Sequence, residues 1–242
     1  MDRNVSPRIP VGVEQGVDGH CWAFALNGAG CAGTGASMEE AVEVFQRRYL
    51  EWLRFLQSVG EPVPPRDAVL EIAVDEWIAT EADVSGGDTT VLFRAEYRPL
   101  EDDELQRGVR LLGDLRGRVL SRIRAFPRRE VDAALDAPVE GGMTVRDVLE
   151  ELARAQWWTL SRLGATPMAG TPEATLGRLD AAMALVVQHL GHLDPARRDL
   201  WLELDDEEWT PRKVLRRLLW LEWTLGRAAL RGLDAAAPNG AR

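Results

Sequence analysis

In the first hundred residues, apolar and polar positions alternate in "RIPVGVEQ" (8–15) and again in "HCWAFALN" (20–27). A period of two is what a half-buried strand requires, so with the turn "GVDG" between them the two runs predict a hairpin. Ser37 and Glu40 then stand at capping-box spacing, and Val42, Phe45, Tyr49, Leu53 and Leu56 recur every three or four residues. They predict a helix that stops at Gly60, ahead of "GEPVPP" (60–65). Alternation returns in "EIAVDEWIA" (71–79) and "TTVLFRAEY" (89–97), which predict a second hairpin around "SGGD".

From Pro99 onward the period becomes helical. Leu105, Val109, Leu112, Leu115, Val119, Ile123 and Phe126 trace one amphipathic stripe. A second helix opens at Thr144 with Asp147 completing a capping box, carries Val148, Leu149, Leu152, Gln156 and Leu160 on one side, and closes at Gly164 and Pro167. A third is expected from Thr171 with Pro172 in its first turn, and a fourth from Thr210 with Pro211. The expected architecture is α+β: a small ββα/hairpin domain over 1–98, then an up-and-down four-helix bundle over 99–242 whose tail, 234–242, is disordered.

Charge narrows the function. The chain has 242 residues and a net charge of −10, with no legible cluster of basic residues, which argues against nucleic acid as a partner. Residues 1–98 hold 8 basic and 16 acidic side chains against 21 and 23 in 99–242, so the acidity is mostly N-terminal. The uncharged run 19–38 is too rich in glycine for a membrane span. Cys21 and Cys31 are the only cysteines and form no CxxC pair, so a cytoplasmic protein with inert thiols is expected.

"GAGCAG" (28–33) satisfies G-x-G-x-x-G, yet Thr34 and Gly35 intervene before the Ser37 cap and no strand-end acid follows at the right distance. A flexible turn entering a capped helix is the preferred interpretation. The wider stretch 12–65, with Gly30, Cys31, Gly35, Ser37, Glu39, Glu40 and Ala41, resembles a HicB-type domain over about 55 residues. That resemblance implies an interaction or dimerisation module, of the kind found in antitoxins that bind a small ribonuclease toxin.

"MTVRDVLEELARAQWWTLSRLG" (143–164) and "EEWTPRKVLRRLLWLEWTLGRAAL" (207–230) resemble the second and fourth helices of the DinB-like four-helix bundles. The resemblance implies a divalent metal held by three histidines, at places occupied here by Glu151, Leu221 and Leu225. Leucine offers no lone pair, so the two leucines are expected to be core, on a stripe Val214, Leu218, Leu221, Leu225, with Glu222 beside them in a former pocket. His189 and His192, with Glu151 and Glu222, could rebuild a mixed site, although a helix C-terminus suits exposed imidazoles equally. His20 has no partner histidine, and no nucleophile–base motif occurs. The nine tryptophans are expected in core or interface. Together these features lead to the expectation of a non-catalytic binding or oligomerisation protein, homodimeric, without cofactor or metal and with a possible small-molecule or protein partner. The alternatives are a metal-dependent transferase or hydrolase with replacement ligands and an antitoxin-type protein.

Overall fold

The computed structural model describes residues 6–28, 30–87, 89–166, 170 and 172–237. Its fold is mixed α+β, with a small N-terminal sheet and six α-helices among the described residues. The chain clusters into two compact units, Met1–Pro99 with Asp199–Arg216, and Leu100–Arg198 with Arg217–Arg242. Residues 199–216, which the sequence division at 98 assigns to the helical half, thus belong with the sheet.

The sheet unit contains β1 (Arg8–Gln15), β2 (Cys21–Ala25), β3 (Ala32–Gly35), α1 (Met38–Ser58) and β4 (Glu71–Ala79), with strand order β3-β2-β1-β4. β1 and β2 form the expected antiparallel hairpin, with Val11 opposite Ala25 and Gln15 opposite Cys21. The end of the glycine-rich stretch does not turn straight into the helix but runs into strand β3, Ala32–Gly35, which pairs antiparallel with β2. α1 lies against β3 and β2, so closely that a Cβ on Gly33 would come within 2.0 Å of the Ala41 carbonyl oxygen. Only residues without bulk allow that approach, and a run of small residues shows no apolar alternation to announce a strand.

α1 starts as expected, Ser37 Oγ accepting from the Glu40 amide, while the Glu40 carboxylate accepts from the Ala36 amide. It ends in a Schellman motif at Gly60, whose φ is +80°, with the Glu61 amide donating to the Leu56 carbonyl. The inner face of the helix buries Ala41, Phe45, Tyr49, Trp52, Phe55 and Leu56.

The second predicted hairpin does not form. β4 pairs in parallel with β1, through a bulge between Val11 and Gly12, and among the described residues 89–93 have no ladder partner. The backbone of that segment is instead held by buried side chains. Glu14 Oε1 accepts from the amides of Thr90 (2.7 Å) and Val91 (3.3 Å), and Lys213 Nζ donates to the Thr90 carbonyl (2.6 Å). Phe93 and Trp22 close the same face: Phe93 packs near Phe24, and Trp22 Nε1 donates to the Val84 carbonyl. A short hairpin absent from the sequence reading, β5 (Leu202–Leu204) and β6 (Glu207–Trp209), turns through Asp205 and Asp206, both at positive φ. Aspartate is among the few side chains that tolerate such angles.

The helical unit contains α2 (Asp102–Arg124), α3 (Val131–Leu135), α4 (Val145–Ser161), α5 (Thr175–His189) and all but the start of α6 (Pro211–Ala236). α4 opens with the predicted Thr144–Asp147 capping box. α5 begins at Thr175 rather than Thr171; Thr175 Oγ1 donates to Glu150, the Pro172 carbonyl accepts from Arg178, and Thr171 lies outside the described residues, as does Pro167. α6 continues to Ala236, so the expected disorder from Asp234 does not begin there; 238–242 lie outside the described residues. Leu149, Leu152, Leu179, Ala229 and Leu233 belong to one buried cluster of this unit.

Candidate functional site

The helical unit carries charge in its interior. Arg116 sits on the apolar stripe of α2, between Leu112 and Val119, and is 3% exposed. Its Nε and Nη2 donate to the two carboxylate oxygens of Glu222 on α6, each at 2.9 Å. Nη2 also donates to Gln156 Oε1 on α4 (2.9 Å), and Nη1 to the Leu179 carbonyl on α5 (2.7 Å). Gln156 Nε2 completes the ring by donating to Glu222 Oε2 at 2.7 Å. Four helices of the unit meet in one network, and Glu222 and Gln156 are as buried as Arg116.

This network changes the picture of α6. The buried stripe runs from Val214 and Leu218 through Glu222 to Gly226, Ala229 and Leu233, while Leu221 and Leu225 are only half-buried against the core. The expected stripe through the two leucines is therefore rotated by one residue, since a glutamate neutralised by a bidentate arginine can occupy the inward position. Glu151 is paired instead with Arg154, beside a surface depression of about 470 Å³ that Trp157 and Arg178 also line. His192 is exposed and His189 half-buried, and among the described residues no three His, Cys, Asp or Glu side chains gather as a metal would need. The mixed set of His189, His192, Glu151 and Glu222 is not assembled.

A divalent metal of the kind the DinB-like resemblance implies does not fit the residues at its three places. Leu221 and Leu225 carry no donor atom, Glu151 faces Arg154, and the lone pairs of neighbouring Glu222 accept three hydrogen bonds from Arg116 and Gln156.

The sheet unit holds a second buried set of charges. Lys213, the sole lysine, is fully buried; its ammonium donates to the carbonyls of Thr90 and Glu208 (2.6 and 2.7 Å) and pairs with Glu207 at 2.8 Å. Burial pushes its pKa down to about 8, with Glu207 opposing the shift. All three N–H bonds are engaged, so this lysine clamps backbone and offers no free amine. One turn on, Arg216 donates to Glu96 at 2.6 and 3.2 Å and stacks over Phe24 and Phe93. Glu14 is buried as well, and desolvation pushes its carboxyl up, against the amides that favour its charge. Among the described residues its Oε2 has no hydrogen-bond partner.

Sequence reasoning named Glu222 and placed Gln156 on a buried face, but it missed Arg116, Glu14, Glu96, Lys213 and Arg216. The signal available was a charged residue on an apolar stripe, of which Arg116 and Glu222 make a complementary pair. His20 donates or accepts at Thr34 Oγ1 (2.6 Å), and Cys21 and Cys31 are both buried and not joined in a disulfide. Trp52 and Trp209 are fully buried, whereas Trp77, Trp158 and Trp201 reach the surface. No helix among the described residues is long and apolar enough to cross a membrane. Comparison of the chain with protein-family models, with curated proteins and with solved structures found no match.

Proposed function

We infer that the chain is a non-catalytic binding or oligomerisation protein, in which a HicB-like sheet domain is joined to a DinB-like four-helix bundle whose metal site has given way to a buried ion pair. The observation that carries this reading is the Arg116–Gln156–Glu222 network, which engages α2, α4, α5 and α6 together and leaves no carboxylate oxygen of Glu222 free of a hydrogen-bond donor. A closed network of this kind fixes which helix faces meet, a role known for buried polar groups elsewhere. Two buried cysteines outside any disulfide suit the reducing cytoplasm. Self-association is supported by the edge strand β4, which among the described residues pairs on one side only and exposes Val74 and Trp77.

Metal analysis of protein purified without a histidine tag tests the reading. The expected result is far less than one equivalent of any divalent ion, with a melting temperature unchanged by chelators. A stoichiometric ion whose removal lowers the melting temperature overturns it in favour of a metal-dependent transferase or hydrolase.

A further inference from the structure

The outer side of α1, away from its buried face, forms one wall of a groove of about 630 Å³ whose other wall is the segment 63–70 and the start of β4 at Ile72. Apolar side chains, Leu50, Leu53, Val69 and Ile72 among them, line it beside Gln46 and Gln57, and both Leu50 (45%) and Val69 (74%) are left exposed to water. That volume falls in the range of small-molecule sites, roughly 300–1,000 Å³.

The charges around it are unusual for this chain. The net charge is −10 and the first 98 residues hold twice as many acids as bases, yet the only charged residues lining the groove are Arg54 and Arg66. Neither has an ion-pair or hydrogen-bond partner among the described residues, although Arg8, Arg47 and Arg48 of the same unit are each engaged. Two exposed guanidinium groups without partners beside an apolar trough complement a molecule with an apolar body and an anionic head, because guanidinium forks carboxylate and phosphate oxygens.

We propose that this groove binds a free amphipathic anion, a single molecule with an alkyl or aryl body seated against Leu50, Leu53 and Ile72 and a carboxylate-type head held by Arg54 and Arg66. A single molecule is preferred to an anionic membrane surface because the acidity of the chain repels such a surface. The inference is independent of the reading of the helical unit, and its failure would leave that reading standing.

The probe is decanoate, titrated into the full chain by calorimetry below its micelle concentration, with decanol as the neutral counterpart. Decanoate is expected to bind one per chain, at least tenfold more tightly than decanol. The double variant Arg54→Gln/Arg66→Gln brings decanoate to the affinity of decanol, and Leu50→Asp removes binding of both. All three positions are at least partly exposed, so the variants keep the wild-type melting temperature, which is measured alongside. Absence of saturable decanoate binding to folded wild-type protein overturns the proposal. So does equal affinity for the two probes, retention of tight decanoate binding by the arginine double variant, or sedimentation with phosphatidylserine vesicles that the same double variant abolishes.

Discussion

Replacing Glu222 by leucine is the sharpest test of the interior network. The substitution is close in volume and adds apolar surface to a core position, so by burial alone it would stabilise the helical unit. The geometry predicts the opposite. Three hydrogen bonds end on the Glu222 carboxylate, and its loss leaves the Arg116 guanidinium charged, 3% exposed and without its counter-ion. Breaking a buried pair from one side costs about 3–5 kcal/mol, so Glu222→Leu should lower the melting temperature of this unit by roughly 10–20 °C. Adding Arg116→Met removes the stranded charge but strands the Gln156 amide, for about 1–3 kcal/mol. Adding Gln156→Leu completes an apolar core, and the triple variant should return to wild-type stability or exceed it. Urea denaturation followed by helix signal and tryptophan fluorescence measures each step. A single variant within about 1 kcal/mol of wild type, or a triple variant no better than the single, would refute the network as described.

Lys213 makes a prediction about pH. Its pKa falls from 10.5 in the unfolded chain to about 8 in the fold, so between those values the unfolded state binds more protons and stability rises with pH. That shift corresponds to about 3 kcal/mol across the window, and the difference between wild type and Lys213→Met should change by that order from pH 7 to 10.5; a flat difference profile rejects the buried ammonium. Gly33→Ala should destabilise the sheet unit by several times the ~1 kcal/mol ordinarily seen for a point substitution, because its Cβ would meet the backbone of α1 at 2.0 and 2.2 Å, and unchanged thermal unfolding would show that β3 and α1 are not so close. Light scattering on dilute protein should give twice the 26.9 kDa of one chain; a concentration-independent value at the single-chain mass rules out the dimer.

Much of the fold was determined by local pattern. The β1–β2 hairpin, the capped α1 ending at Gly60, the α4 capping box and the stripes of α2 and α4 all follow from side-chain period and cap chemistry within a few residues of each other. What tertiary structure alone decided is where polar groups find partners far along the chain. The run 89–97 alternates like a strand, but Glu14 lies 76 residues from Thr90 and Lys213 lies 123 residues away, and those two side chains satisfy backbone that a ladder would otherwise pair. β3 is a strand because its backbone pairs with β2, at a place where α1 packs directly on Gly33, and no run of small residues announces that pairing. The candidate site follows the same rule. An inward glutamate on α6 is unfavourable by itself, so period alone turned Leu221 and Leu225 to the core; Arg116, 106 residues earlier, supplies the counter-charge that lets Glu222 take that place.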